Sequence, residues 1–295
     1  MSNNLAKIKK KMSIYAKRRV RNVLTGNYGS VFKGRSMDFD DLRAYEYGDD
    51  VKDIDWKASA RSKTPMIRRY VAIRKHNIMI VADSGRGMAA LAPSGEKKSE
   101  LVGFAAGVIS YIAEKNGDLV GMTFGDSHGN TRFPLKEKVS HIENFLSKYD
   151  KAVSLSSGNS DINALLSFIS KNFRERMFLF IVTDVHGALE ISEDLLRRLR
   201  VRHEIMTIMV EDISFTDDKF KNSNAIDVTD GTSLPRFMRT NRKLKKAEEI
   251  LREENLKNAT HRFKKLGIMS CRIYDTDHAI PEIFKMLEEQ KHARR

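Results

Sequence analysis

Three short, unbroken apolar runs set the frame for this chain: HNIMIVA (76–82), MFLFIV (177–182) and EIMTIMV (204–210). Each is strand-length; the first leads directly into Asp83, and the second, through Thr183, into Asp184. A continuous apolar run of this length suits a strand buried on both faces, as in a parallel sheet. Amphipathic segments lie between and around the runs, near 96–114, 137–149, 161–173, 192–200, 238–266 and 279–291. Shorter strands are expected at 118–124, at 129–135 (an edge strand) and at 271–274, and residues 213–235 read as irregular. Strands alternating with helices predict an α/β fold, a mostly parallel sheet covered on both faces. Such sheets place their sites at the carboxyl ends of the strands, beside the point where strand order reverses. Asp83 and Asp184 are therefore the first candidate site residues.

The segments before residue 76 follow other patterns. Residues 4–24 carry an apolar stripe (Leu5, Ile8, Met12, Tyr15, Val20, Leu24) opposite a lysine- and arginine-rich face, which predicts a basic amphipathic helix. Residues 26–75 have no helical period and are punctuated by glycine, which predicts turns and short strands, with Met66–Ile73 leading into the next unit. The organisation read from sequence is a basic helix over 1–25, a β-rich segment over 26–75 and an α/β domain over 76–295, with a charged helical insertion near 236–266.

Charge is unevenly placed. Of a formal net +14, residues 1–37 hold ten bases and no acid, and residues 236–272 hold twelve bases and four acids. That leaves the rest at −4, a mildly acidic body with two basic parts. An anionic membrane surface is one partner this distribution fits. Aromatics are sparse in both basic parts (Tyr15, Phe237, Phe263), which disfavours nucleic acid. The one cysteine, Cys271, sits among apolar residues and reads as a small buried side chain in a reducing compartment. No run approaches the ~20 apolar residues that span a bilayer, and no apolar stretch follows the basic N-terminus as in a secretory signal. The location expected is the cytoplasm.

The stretch GDDVKDIDWKASAR (Gly48–Arg61), followed by a strand at Tyr70 and then ADSGRGM (Ala82–Met88), resembles the domain of unknown function 58 family. The signature residues are Gly48, Asp49, Asp50, Asp53, Asp55, Trp56 and Arg61. The resemblance implies a Rossmann-like von Willebrand factor A-type domain from about residue 76. Domains of that type often carry a metal-ion-dependent adhesion site: a D-x-S-x-S loop after the first strand, a threonine before a helix, and an aspartate after the fourth strand. Asp83 matches the first aspartate, Ser160 stands at the threonine position and Asp184 at the last aspartate. Gly85 and Gly87 fill both serine positions and offer no oxygen; Ser84 is adjacent but out of pattern. Asp83, Ser160 and Asp184 remain as oxygen donors for Mg²⁺, which binds such ligands and keeps waters readily. Arg86 lies in the same loop and is expected to neutralise the two aspartates in place of a metal. The contact face expected is Asp83, Ser84, Arg86, Ser160, Asp161 and Asp184. The resemblance further implies a MoxR-type AAA ATPase as partner, with this chain as adaptor or co-chaperone for a client protein.

Catalytic patterns are missing. There is no G-x-S-x-G, no G-x-x-x-x-G-K-[ST], no C-x-x-C and no H-E-x-x-H. The acids at 49, 50, 53 and 55 could build a two-metal hydrolase site. The bases Arg43, Lys52, Lys57 and Arg61 among them, and Ile54 and Trp56 as apolar anchors, favour a charge-paired structural turn instead. His186, beside Asp184, reads as a solvent-facing loop residue.

Overall fold

A computed structural model describes residues 6, 8, 10, 38–71, 75–217, 219, 226–233 and 235–292. Six strands form the central sheet: β3 (Asn77–Asp83), β4 (Leu119–Asp126), β5 (Gly129–Lys136), β6 (Phe178–Asp184), β7 (Glu204–Val210) and β8 (Met269–Ile273). Their spatial order is β5-β4-β3-β6-β7-β8. All neighbours are parallel except β4 and the edge strand β5, which are antiparallel. Order reverses between β3 and β6, so Asp83 and Asp184 end adjacent strands at the switch point. The α/β architecture expected from the runs, a mostly parallel sheet covered on both faces, is the one observed.

Helices cover both faces. On one side lie α2 (Lys98–Lys115), α3 (Val139–Ala152) and α8 (Thr276–His292); on the other, α4 (Ile162–Asn172), α5 (Val185–Glu190), α6 (Glu193–Arg202) and α7 (Arg242–Lys265). The central strand β3 shows why its sequence is apolar throughout. Ile78, Ile80 and Ala82 enter the core under α2 and α3, while Met79 and Val81 enter the opposite core with Leu165 and Ile169 of α4. Alternate side chains leave a strand on opposite faces, and here both faces are dry.

Two regions refine the reading from sequence. The charged stretch near 236–266 is not a basic arm set apart from the domain. Its helix α7 seats Ala259 and Phe263 in the second core, with Leu256 packed against them. The other end of the helix is solvated, with Leu244, Ile250 and Leu251 exposed. The short helix α5 was not legible, because six residues cannot show a helical period.

Of the expected helix over 4–24, Ala6, Ile8 and Lys10 are helical and the remainder lies outside the described residues. Ile8 is 2% exposed and joins the core under α2 and α3. The approach is so close that a Cβ on Gly107 of α2 would collide with Ile8 Cδ1. This end of the basic segment is docked on its own chain.

Residues 38–71 form a small unit. β1 (Asp38–Ala44) and β2 (Met66–Val71) pair antiparallel, joined through a 3-10 turn (Val51–Asp53) and α1 (Trp56–Ser62). Gly48 has φ +110°, a conformation that L side chains rarely adopt. The acidic residues of the signature act mainly as caps. Asp50 accepts the Lys52 N–H, and Asp55 accepts those of Lys57 and Ala58 at the start of α1. Asp49 pairs with a cation, Arg43 Nη2 at 2.5 Å. The Glu46 N–H and then that guanidinium hold the Asp49 carboxyl below its ordinary value. Ile54 bridges to buried Ile67, but Trp56 is 68% exposed. The expectation of a tryptophan anchor is therefore wrong: β2 supplies the apolar contact, and the N-cap at Asp55 turns the indole outward.

Candidate functional site

The site is built where β3 and β6 end. Asp83 is 1% exposed. Its Oδ1 accepts the Gly85 N–H at 2.8 Å, and its Oδ2 accepts the Ser160 hydroxyl at 2.5 Å and the Thr183 hydroxyl at 3.3 Å. Its carbonyl takes the hydroxyl of buried Tyr149, which braces the strand exit from α3. Burial raises the Asp83 carboxyl to about 6; Ser160 and Gly85 oppose this, and nearby Asp184 adds to it.

Gly85 has a steric explanation. A Cβ there would sit 2.5 Å from the Ser160 nitrogen and 2.7 Å from its Cα. The loop carrying Ser160 lies directly on residue 85, and that contact brings the Ser160 hydroxyl onto Asp83. Gly87 differs: a Cβ would meet only Thr229 Oγ1 at 3.7 Å and Asp184 Oδ2 at 4.0 Å, both ordinary separations.

Asp184 closes β6 and caps α5, its Oδ1 accepting the Gly187 N–H at 2.7 Å. Its Oδ2 takes the ammonium of Lys98 at 2.7 Å. Lys98 stands in the first turn of α2, is 2% exposed, and also pairs with Asp212 just beyond β7. Burial pulls the Lys98 pKa down, but the charges of Asp184 and Asp212 outweigh it and hold it above its ordinary value. Burial likewise opposes ionisation of Asp184, and Lys98 overcomes it, so that carboxyl stays below its ordinary value. The result is one buried cation between two carboxylates.

The cation beside the carboxylates is thus Lys98, not Arg86. Arg86 opens a 3-10 turn (Arg86–Ala89) and binds the Gly158 carbonyl through its backbone N–H. Its Nε is buried without a hydrogen-bond partner, and it forms no ion pair among the described residues. The other expected residues divide. Asp83, Ser160 and Asp184 come together at the switch point. Ser84 is buried there, its N–H bound to the Gly125 carbonyl. Asp161 turns away and caps α4 through the Ala164 N–H. Lys98 and Asp212 were missed. A lysine at a helix start reads as solvated, and Asp212 follows its strand by two residues, just before the stretch 213–235 read as irregular.

These donors fit a divalent ion poorly. One oxygen of Asp184 is held by an ammonium and the other by a backbone N–H; both oxygens of Asp83 accept hydrogens from its own loops. Among the described residues, no group of three or more histidine, cysteine or acidic side chains is placed to hold a metal.

A six-stranded A-type sheet with a carboxylate pair at its switch point defines the class: an α/β domain of von Willebrand factor A type preceded by a small β unit. The chain belongs to the family described as "Protein of unknown function DUF58", whose model matches residues 41–257. Uncharacterized proteins of Mycobacterium tuberculosis and Mycobacterium bovis are 24% identical over 209 residues, 70% of this chain and 65% of theirs. The chain thus matches less than two thirds of those relatives' length. Among solved structures, an aerotolerance-related membrane protein from Bacteroides fragilis is similar at 13% identity and TM-score 0.44, over 72% of this chain and 99% of that one. BatB from Bacteroides thetaiotaomicron is similar at 14% identity and TM-score 0.41, over 74% and 99%. A von Willebrand factor type A protein from Catenulispora acidiphila gives 10% identity and TM-score 0.41, over 75% and 44%. No described helix of this chain is long and apolar enough to cross a membrane.

Proposed function

We propose that this chain is a non-enzymatic interaction module, an adaptor that works in the cytoplasm with a MoxR-type AAA ATPase on a client protein. Its contact face is the carboxyl edge of the sheet around Asp83, Ser84, Arg86, Ser160 and Asp184, a degenerate adhesion site that works without Mg²⁺. The observation that carries this reading is the Lys98 ammonium between Asp184 and Asp212. It fills the centre of the switch point with a charge network in which Lys98 and both oxygens of Asp184 are engaged. Such a network fixes loop geometry for recognition and offers no chemistry of its own. The test is calorimetry of the full chain with a purified MoxR-type ATPase from the same organism, with Mg²⁺ and with EDTA. Complex formation in both conditions, weakened by Asp83→Ala, is expected. No complex, or one lost in EDTA, refutes the reading.

A second reading rests on the solvated end of α7, where Arg242, Lys243, Lys245 and Lys246 surround exposed Leu244. Such a surface suits an anionic membrane. Sedimentation with phosphatidylserine vesicles at low salt, absent with neutral vesicles and lost at high salt, is its signature.

A further inference from the structure

Two further surfaces, one on the small N-terminal unit and one adjoining the contact face at the exit of β7, have complementary chemistry. The first is α1. Trp56, the chain's one tryptophan, is 68% exposed at the start of this helix. Lys57 and Arg61, one turn apart, are exposed beside it, Lys63 follows, and residues 56–65 contain no acid. Val51 (58% exposed) and Tyr47 extend the same signature segment. An indole left in water between cations is an unusual expenditure of apolar surface, and tryptophan and arginine are the side chains that most often carry interface energy.

The second surface is a cavity of about 570 Å³ between the exit of β7, the start of α5 and the middle of α7. Its volume lies in the range of about 300–1,000 Å³ that ligand sites occupy. Val185, Ile213, Phe215 and Leu256 give it an apolar lining, and Leu251 stands exposed within it. Five carboxylates line it against two guanidiniums. Three of those carboxylates are already engaged: Glu211 pairs with Arg272, and Glu248 ties the β7 exit to α7 through the Phe215 N–H and the Thr216 hydroxyl. Asp212 pairs with Lys98. Glu249 has no ion pair among the described residues, and Glu253 has only the exposed Lys257 at 3.4 Å. The cavity combines an apolar lining with an excess of carboxylates. It calls for an apolar side chain flanked by cations.

We propose that this cavity receives the α1 segment of a second copy of the chain, with Trp56 entering between Ile213, Phe215 and Leu251 and with Lys57 and Arg61 meeting Glu249 and Glu253. Each copy offers one α1 and one cavity, so association closes as a reciprocal two-fold dimer or extends into rings or chains. It does not require the ATPase, and its cavity adjoins the adaptor site through Val185 and Asp212.

The single tryptophan makes the test direct. Sedimentation velocity and tryptophan emission of the full chain are measured together over a concentration series at low salt. The expected result is mass rising above the 33.7 kDa monomer as the emission shifts to the blue, both reversed by salt. Trp56→Ala weakens association tenfold or more. Lys57→Glu/Arg61→Glu and Glu249→Lys/Glu253→Lys each abolish it, and all four substitutions in one chain restore it. All these positions are exposed, and circular dichroism verifies that each variant folds. A monomer at every concentration overturns the proposal, as does emission that is already blue and independent of concentration, which would place the indole against its own chain. Association unaffected by the charge reversals, or not rescued by the four-fold swap, overturns it equally.

Discussion

Lys98→Met removes the ammonium but keeps a side chain of similar length. Lys98 is 2% exposed, and its two partners are unequal. The Asp212 side chain is 42% exposed and rehydrates when the cation leaves; the Asp184 side chain, 13% exposed, does not. Asp184 keeps the Gly187 N–H but becomes a buried carboxylate with its neutralising charge gone. Removing one partner of a buried pair costs about 3–5 kcal/mol, and because Asp212 recovers water the low end applies, about 3 kcal/mol. At about 2–4 °C per kcal/mol for a domain of this size, the midpoint falls by about 6–12 °C. Urea and thermal unfolding at pH 7 measure this. Lys98→Met/Asp184→Asn serves as the control, since it removes the stranded charge as well. It should be less destabilised than the two single changes summed, by about 2 kcal/mol. The metal question is answered on the same samples: without its ammonium, Lys98→Met should gain stability from millimolar Mn²⁺ where the wild type gains none. If Lys98→Met is within 1 kcal/mol of wild type (roughly the error of such measurements), the buried network does not hold the switch point together and the reasoning fails.

Other expected outcomes follow from the same geometry. The folded-state pKa of Asp83 is about 6, above an unfolded value of about 3.9, so the folded state binds more protons between them and this group's contribution falls as pH rises through that window. Two units correspond to about 3 kcal/mol, and the stability difference between wild type and Asp83→Asn should shrink by that order from pH 4 to pH 7; a flat difference refutes the burial argument. For Asp184 the sign reverses. Its folded-state pKa is depressed, so its contribution is complete above the unfolded value and lost as acid protonates it, and Asp184→Asn should lose less stability than wild type on acidification below pH 4. Gly85→Ser should destabilise by at least about 2 kcal/mol because its Cβ meets Ser160 backbone, while Gly87→Ser should stay within about 1 kcal/mol; equal effects in thermal melts contradict the close approach. Gly107→Ala should displace Ile8, speeding hydrogen exchange at Ala6, Ile8 and Lys10 without unfolding the sheet.

The sheet was legible because burial on both faces leaves a strand little choice of residue. Ile78 through Asp83 are almost wholly enclosed, and only an unbroken apolar run ending at its polar exit satisfies that position. Asp83 and Asp184 were legible for a related reason: strand ends fix them along the chain, and the family resemblance added Ser160. Lys98 was not. In sequence it lies fifteen residues after Asp83 and eighty-six before Asp184, and its neighbours Glu96, Lys97 and Glu100 give it the look of a solvated helix start. Its role depends on the Ala92–Lys98 turn, where the Ala92 N–H binds the Glu96 carbonyl and the Lys98 N–H binds the Ala90 carbonyl. That turn aims the first residue of α2 under the strand ends, a direction set by tertiary packing and not by any local period. Arg86 was the reasonable choice on proximity along the chain, yet the loop's own backbone bond to Gly158 fixes its position instead. The same distinction explains Trp56. An aromatic residue within an acidic turn reads as its anchor, but the acids there are occupied as caps, Ile54 and Ile67 supply the apolar contact, and the indole is left facing solvent. A side chain that local structure does not require, on a surface that costs apolar exposure, must be explained by what meets it. That is why the association experiment tests the fold's reading of the signature as much as it tests assembly.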